Sequence, residues 1–171
     1  AGISWLAEIL KGKEFVLIIL VTLLIAIGGT TFGLAEETIA FYPILIPIFL
    51  AAKYDAMVAL ACIYIGSSIG SMCSTTNPFS AIIASDAAGI NWTTGLTGRF
   101  IMLVLSTLIC IIYILRYAQR VKKDPSKSVI FSQKEAIETM FGSNTTSLIN
   151  LSIRLKIILF VFAMCFIVMI Y

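Results

Sequence analysis

The chain has 171 residues, 60% of them hydrophobic and 12% charged, with a net charge of +3 and no histidine; its mean hydropathy is +1.03. A soluble domain carries roughly a quarter charged residues, and so short a chain cannot hide this much apolar surface from water. The missing histidine excludes Ser-His and Cys-His catalysis and His-ligated metals; with no nucleotide-binding or nucleophile-elbow motif and only a small, dispersed charge, neither an enzyme, a cofactor nor a nucleic-acid partner is expected.

An all-α membrane protein is the expected class. Residues 1–14 place Ile3, Leu6, Ile9 and Leu10 on one face, flanked by Glu8, Lys11 and Lys13, the pattern of a helix lying in the membrane interface. Residues 15–52 are apolar except for Glu36 and Glu37. Within them the string Gly28-Gly29-Thr30-Thr31-Phe32-Gly33 is predicted to break the helix. The remaining arms, 15–27 and 38–52, would then reach only ~20 Å against a hydrocarbon core of ~30 Å. A re-entrant helical hairpin with its tip near mid-membrane is therefore predicted over 15–52, two full spans being the alternative. Pro43 and Pro47 are tolerable in its second arm if neighbouring helices re-satisfy the freed carbonyls.

Residues 56–85 carry no charge and would make a straight helix of ~45 Å, too long to cross unbroken. Gly66 and Gly70 offer a small-residue face for a neighbouring helix. The run Ser74-Thr75-Thr76-Asn77-Pro78 then supplies the interruption, so a broken (discontinuous) transmembrane helix is predicted. Residues 99–117 read as an ordinary span, with Arg99 and Arg116 reaching to the two interfaces. A polar connector, 118–153, follows. It holds a helical segment near 132–141 with Ser132 and Glu135 in capping-box spacing, and Ser143-Asn144-Thr145 as a turn or cap. Residues 154–171 begin another transmembrane helix. The four cysteines lack paired spacing and read as small hydrophobes.

Arg116, Arg120, Lys122, Lys123 and Lys127 place 118–153 in the cytoplasm by the positive-inside rule. Counting back along the chain brings Lys53, Lys13 and Lys11 to the same side. The start at Ala1-Gly2 and the close inside an apolar run point to a piece of a longer polypeptide.

Two constellations carry chemistry. Glu36, Glu37 and Thr38 stand at the hairpin tip, where ionisable groups are costly and face a polar pathway; they suit a cation, a proton or a positively charged substrate. A solvated external turn is the alternative. Around Ser74 to Pro78, unwound carbonyls suit a sodium ion and the head of the following half-helix suits a carboxylate. Asn77 has the character of an N-cap and Pro78 that of a first helical residue; a proline kink softened by hydroxyls is the alternative.

The strings GGTTFGLAEETIAFYPILIP (28–47), GSSIGSMCSTTNPFSAIIA (66–84) and LRYAQRVKKDPSKS (115–128) together resemble the YfcC-like branch of the four-carbon dicarboxylate anaerobic carrier (DcuC) family, within the ion transporter superfamily. The resemblance implies an elevator-type carrier of two inverted repeats in a bacterial cytoplasmic (inner) membrane, multi-pass, working as a homodimer. This chain would supply one hairpin and one broken helix, the remainder of the same polypeptide the others. It implies substrate contacts from Glu36, Glu37, Thr38, Thr76, Asn77 and Pro78. A coupling ion, sodium or proton, would lie at Gly33, Ala35, Thr38, Ser74, Thr75 and Asn77. The sodium-dicarboxylate members carry Ser-Asn-Thr at the hairpin tip, whereas Ala35-Glu36-Glu37-Thr38 stands there in this chain. That departure weighs against a dicarboxylate and suits a cationic or zwitterionic substrate. A secondary active transporter of amino acids or small carboxylates, an antiporter or ion-coupled symporter, is the expected function. An ion channel with a re-entrant loop and a C4-dicarboxylate carrier are the alternatives.

Overall fold

A backbone in apolar surroundings must satisfy its own hydrogen bonds, and the uncharged stretches of this chain do so as helices. The computed structural model describes residues 13–141 and, beyond them, positions 157, 161 and 164. The expected interfacial helix, the Ser143-Asn144-Thr145 turn and, apart from those three positions, the helix expected over 154–171 lie outside the described residues. Every regular element described is helical: α1 (Phe15–Phe32), a 3-10 segment (Glu36–Phe41), α2 (Tyr42–Ala51), α3 (Ala56–Met72), a π-helical turn (Pro78–Ile83) running into α4 (Ala84–Ala87), α5 (Leu96–Lys123) and α6 (Lys134–Phe141).

The first arm departs from expectation. Helix α1 runs through Gly28, Gly29, Thr30 and Thr31 and stops only at Gly33, which adopts a left-handed conformation with φ 77°. The break predicted within 28–33 thus falls at its last residue, Gly33, the one glycine of the string whose φ calls for it, and the first arm, expected to end at residue 27, runs on to Phe32. Gly29 has another task. A Cβ there would lie 2.9 Å from the Ser67 carbonyl oxygen and 3.0 Å from Gly70 Cα; one on Gly70 would lie 2.4 Å from the Ala26 carbonyl oxygen. The backbones of α1 and α3 touch at this crossing, as the Gly66/Gly70 spacing predicted. The ~1 kcal/mol that a helical glycine costs relative to alanine is offset by that contact.

The expected arm lengths change accordingly. Helix α1, 18 residues long, rises ~27 Å. The return arm combines 6 residues of 3-10 helix with 10 of α-helix, again ~27 Å at ~2.0 and ~1.5 Å per residue. Arm length by itself therefore no longer argues for re-entry. Pro43 stands in the first turn of α2, where its missing N–H leaves no bond unmade.

Helix α3 is the centre, packed by α1, α2 and α5. The core draws Leu17 and Ile18 from α1, Ile48 and Phe49 from α2, Val58, Ala59 and Cys62 from α3, and Ile114 and Ala118 from α5. At one end, here called basal, Lys122 pairs with Glu14 at 3.2 Å and lies 5.1 Å from the Tyr54 ring centroid. Asp55 caps α3 there, one oxygen accepting from the Val58 N–H at 3.0 Å. Its other oxygen accepts from the Tyr117 hydroxyl at 2.8 Å and the Ser128 hydroxyl at 2.6 Å. The start of α1, the end of α2, the head of α3 and the end of α5 therefore meet at one end, the basic end expected from charge.

On α5 the buried positions are Thr107, Ile111, Ile114, Ala118 and Val121, a single stripe at alternating three- and four-residue spacing. No position from Leu96 to Ser106 is buried. Phe100, Ile101, Met102, Leu105, Leu108, Ile109, Ile112 and Tyr113 are exposed, far more apolar side chain than a water-facing helix shows. Helices α1 and α5 are each long and apolar enough to cross a membrane.

Candidate functional site

The distal ends of α1 and α3 form a joint. Helix α3 ends at Met72, and the chain runs non-helically from Cys73 to Asn77 before Pro78 opens the next turn. The predicted interruption is present, with Asn77 as N-cap and Pro78 at the start.

The end of α1 is docked into this unwound segment. The Thr30 carbonyl accepts the N–H groups of Thr75, Thr76 and Asn77 at 3.1, 3.2 and 3.1 Å, and the Thr75 hydroxyl at 3.2 Å. Three successive N–H groups aimed at one oxygen make an anion-type nest, filled here by the chain's own acceptor. The Thr30 hydroxyl donates to the Cys73 carbonyl at 2.8 Å, and the Thr75 N–H also reaches that hydroxyl at 3.0 Å. A helix end that would leave bare carbonyls thus satisfies a helix interruption that would leave bare N–H groups.

Asn77 locks the joint from within. It is 1% exposed. Its Oδ1 accepts from the N–H groups of Phe79 and Ser80 at 2.9 and 3.2 Å, while Nδ2 donates to the Gly29 carbonyl at 3.2 Å and lies 3.4 Å from Ser80 Oγ. A Cβ on Gly33 would fall 2.8 Å from Asn77 Oδ1, so Gly33 is needed for the approach as well as for its φ. Ser67 donates to the Leu34 carbonyl at 2.5 Å and pins the turn that follows.

The residues expected to bind substrate and ion divide into two groups. Gly33, Ser74, Thr75 and Asn77 are built into the joint; Ser74 is buried and donates to the Ser71 carbonyl. Here the sequence reading is corrected. The Phe79 and Ser80 N–H groups, at the half-helix head expected to receive a carboxylate, are engaged by the Asn77 side chain, and the N–H groups of the unwound segment, Thr75 to Asn77, by the Thr30 carbonyl. The second group faces outward. Ala35, Glu36, Glu37, Thr76 and Pro78 are exposed. The Glu37 carboxylate accepts from the Ala35 N–H at 3.2 Å. Thr38 is buried, and its hydroxyl donates to the Ala35 carbonyl at 2.5 Å, a contact that takes up one carbonyl expected for the ion. No group of three or more acidic or cysteine side chains able to hold a metal occurs among the described residues.

Sequence reasoning missed Thr30 and Ser67. The signal for Thr30 was present: Thr22, Ala26, Gly29 and Thr30 form a small-residue stripe on the buried face of α1, facing the Gly66/Gly70 stripe of α3.

The whole chain, residues 1–171, matches the C4-dicarboxylate anaerobic carrier family, DcuC. A Haemophilus influenzae relative described as "Uncharacterized protein" is 43% identical over 175 residues, covering 100% of this chain and 34% of its own length. An Escherichia coli K12 relative bearing the name "Putative basic amino acid antiporter YfcC" is 34% identical over 141 residues, 79% of this chain and 28% of its own. The chain thus spans about a third of the length of these curated relatives. No solved structure matches it.

Proposed function

Because the chain belongs to the C4-dicarboxylate anaerobic carrier family, we propose that it forms one substrate-facing tip of a secondary active transporter in a bacterial inner membrane, and that the substrate is a cationic amino acid. The carrying observation is the distribution of groups at the tip. The backbone donors that would grip an anion are engaged within the joint, while two carboxylates, Glu36 and Glu37, stand exposed beside it. A tip arranged this way attracts a cation more than a dicarboxylate. The name of the Escherichia coli relative agrees with that choice.

A re-entrant position for the tip is supported by its level along α5. Glu14 at the start of α1 is level with Lys122, about six residues, or ~9 Å, beyond Arg116. With Arg116 at the interface, α1 penetrates the remaining ~18 Å of its ~27 Å length. The tip then comes level with about residue 104 of α5, roughly two-thirds of the way across the 99–116 span, and the buried stripe on α5 stops at Thr107. In this reading Glu36 and Glu37 lie at membrane depth, facing a polar pathway completed by the rest of the carrier. Coupling to sodium or a proton, or exchange of one amino acid for another, belongs to the same proposal, as does a homodimeric assembly.

The test is uptake by the full-length carrier in proteoliposomes. Wild type is expected to accumulate radiolabelled lysine or arginine, and Glu37→Gln to lose most of that uptake at normal expression. Thr76→Val probes the exposed side of the joint without removing a buried bond. Robust succinate uptake, with no competition from lysine or arginine, would instead establish the dicarboxylate reading.

A further inference from the structure

A second site lies at the opposite, basal end. A cleft of about 320 Å³ opens between the end of α2, the end of α5 and helix α6, with Leu50 and Phe131 among its apolar walls and Lys53, Lys122 and Lys134 as its basic groups. That volume is at the lower bound of small-molecule pockets, roughly 300–1,000 Å³.

Its charges are not evenly spent. Lys122 pairs with Glu14 at 3.2 Å and Lys134 with Glu138 at 3.8 Å. The Asp55 carboxylate on the cleft wall is engaged by Tyr117, Ser128 and the Val58 N–H. Lys53 forms no salt bridge among the described residues. It is also the one non-glycine residue there with positive φ, at 63°. The position just past a helix C-terminus that turns left-handed normally takes glycine; a lysine accepts strain of about 1 kcal/mol. The backbone gains nothing from lysine at this turn, so the ammonium at the cleft mouth is the feature that distinguishes it.

We propose that this cleft binds a phosphate group, presented by the headgroup of an anionic phospholipid of the inner leaflet. The setting fits. The cleft lies beside the Arg116–Lys127 cluster at the end read as cytoplasmic, where basic pockets between helices and the interface meet anionic headgroups. A soluble phosphate would use the same lysine chemistry, and the test separates the two sources.

The full-length carrier, delipidated in neutral detergent, would be offered phosphatidylglycerol, phosphatidylcholine or inorganic phosphate, and retained lipid counted by native mass spectrometry. Wild type is expected to retain phosphatidylglycerol in preference to phosphatidylcholine. Lys53→Gly relieves the strained backbone and should fold, yet bind about fivefold more weakly; Lys53→Arg should restore binding. Displacement of phosphatidylglycerol by millimolar inorganic phosphate would assign the same site to soluble phosphate. Equal retention of both lipids, or unchanged binding in a folded Lys53→Gly protein, would overturn the proposal.

Discussion

At the residue scale, Asn77 is the side chain on which the tip depends most. Each of its polar atoms serves two partners, and its burial leaves no water to replace them. Asn77→Ala would strand the Phe79 and Ser80 N–H groups, at a cost of roughly 1–3 kcal/mol, while the Gly29 carbonyl would keep the Gly33 N–H. We expect a lower unfolding temperature in detergent together with lost transport. Asn77→Asp keeps both cap acceptors but not the donor to Gly29, so an intermediate stability is expected. Gly70 makes a sharper case. A methyl group there meets backbone atoms that cannot rotate away, so Gly70→Ala should cost roughly 1–3 kcal/mol by forcing α1 and α3 apart. Gly98→Ala is the control: it lies in α5 with nothing within 4 Å of the added carbon and should be neutral or stabilising by up to ~1 kcal/mol. Thermal unfolding of the pair checks the contrast.

The discontinuous helix shows, at the element scale, what was legible in the sequence. An uncharged stretch too long to cross, interrupted by hydroxyl residues, an amide and a proline, located the break and identified Asn77 and Pro78 in their observed roles. The glycine string of α1 misled because glycine answers two physical needs. It permits positive φ, as at Gly33, and it permits close approach, as at Gly29. Choosing between them requires knowing which surface comes near, and Gly29's partner, Gly70, lies far along the chain. The same ignorance hid Thr30, whose carbonyl matters only because a distant nest of N–H groups closes on it. The basal elements carry their own expectation. Asp55 ties the head of α3 to Tyr117 and Ser128, so Asp55→Ala should free the start of the connector. Hydrogen exchange is expected to rise across 125–131 while the α1–α3 crossing stays protected. Acid should loosen the neighbouring turn as well. Asp124 accepts from the Ser126 hydroxyl at 2.6 Å, which with the nearby Lys127 holds its pKa below the ordinary value. That stabilisation is complete above the usual carboxylate range and is lost as pH falls through the folded pKa.

The whole molecule is organised as two ends joined by one apolar core. The basal end gathers lysines, arginines and the Asp55 cluster; the distal end gathers two helix interruptions that satisfy each other and two carboxylates left outside. Such a division suits a carrier. Its tip must stay folded while its polar surface meets a substrate, and the joint achieves this by keeping its own donors and acceptors paired. The all-helical class was legible in composition, whereas the closure of the tip depended on contacts between segments and became visible only in three dimensions. The most direct test of the account is counterflow of radiolabelled lysine by the full-length carrier in proteoliposomes, compared with the Glu36→Gln/Glu37→Gln double variant. Wild type is expected to show saturable lysine counterflow, reduced at least tenfold in the double variant at equal reconstitution. Undiminished lysine counterflow in the double variant, or counterflow of dicarboxylates alone in wild type, would contradict it.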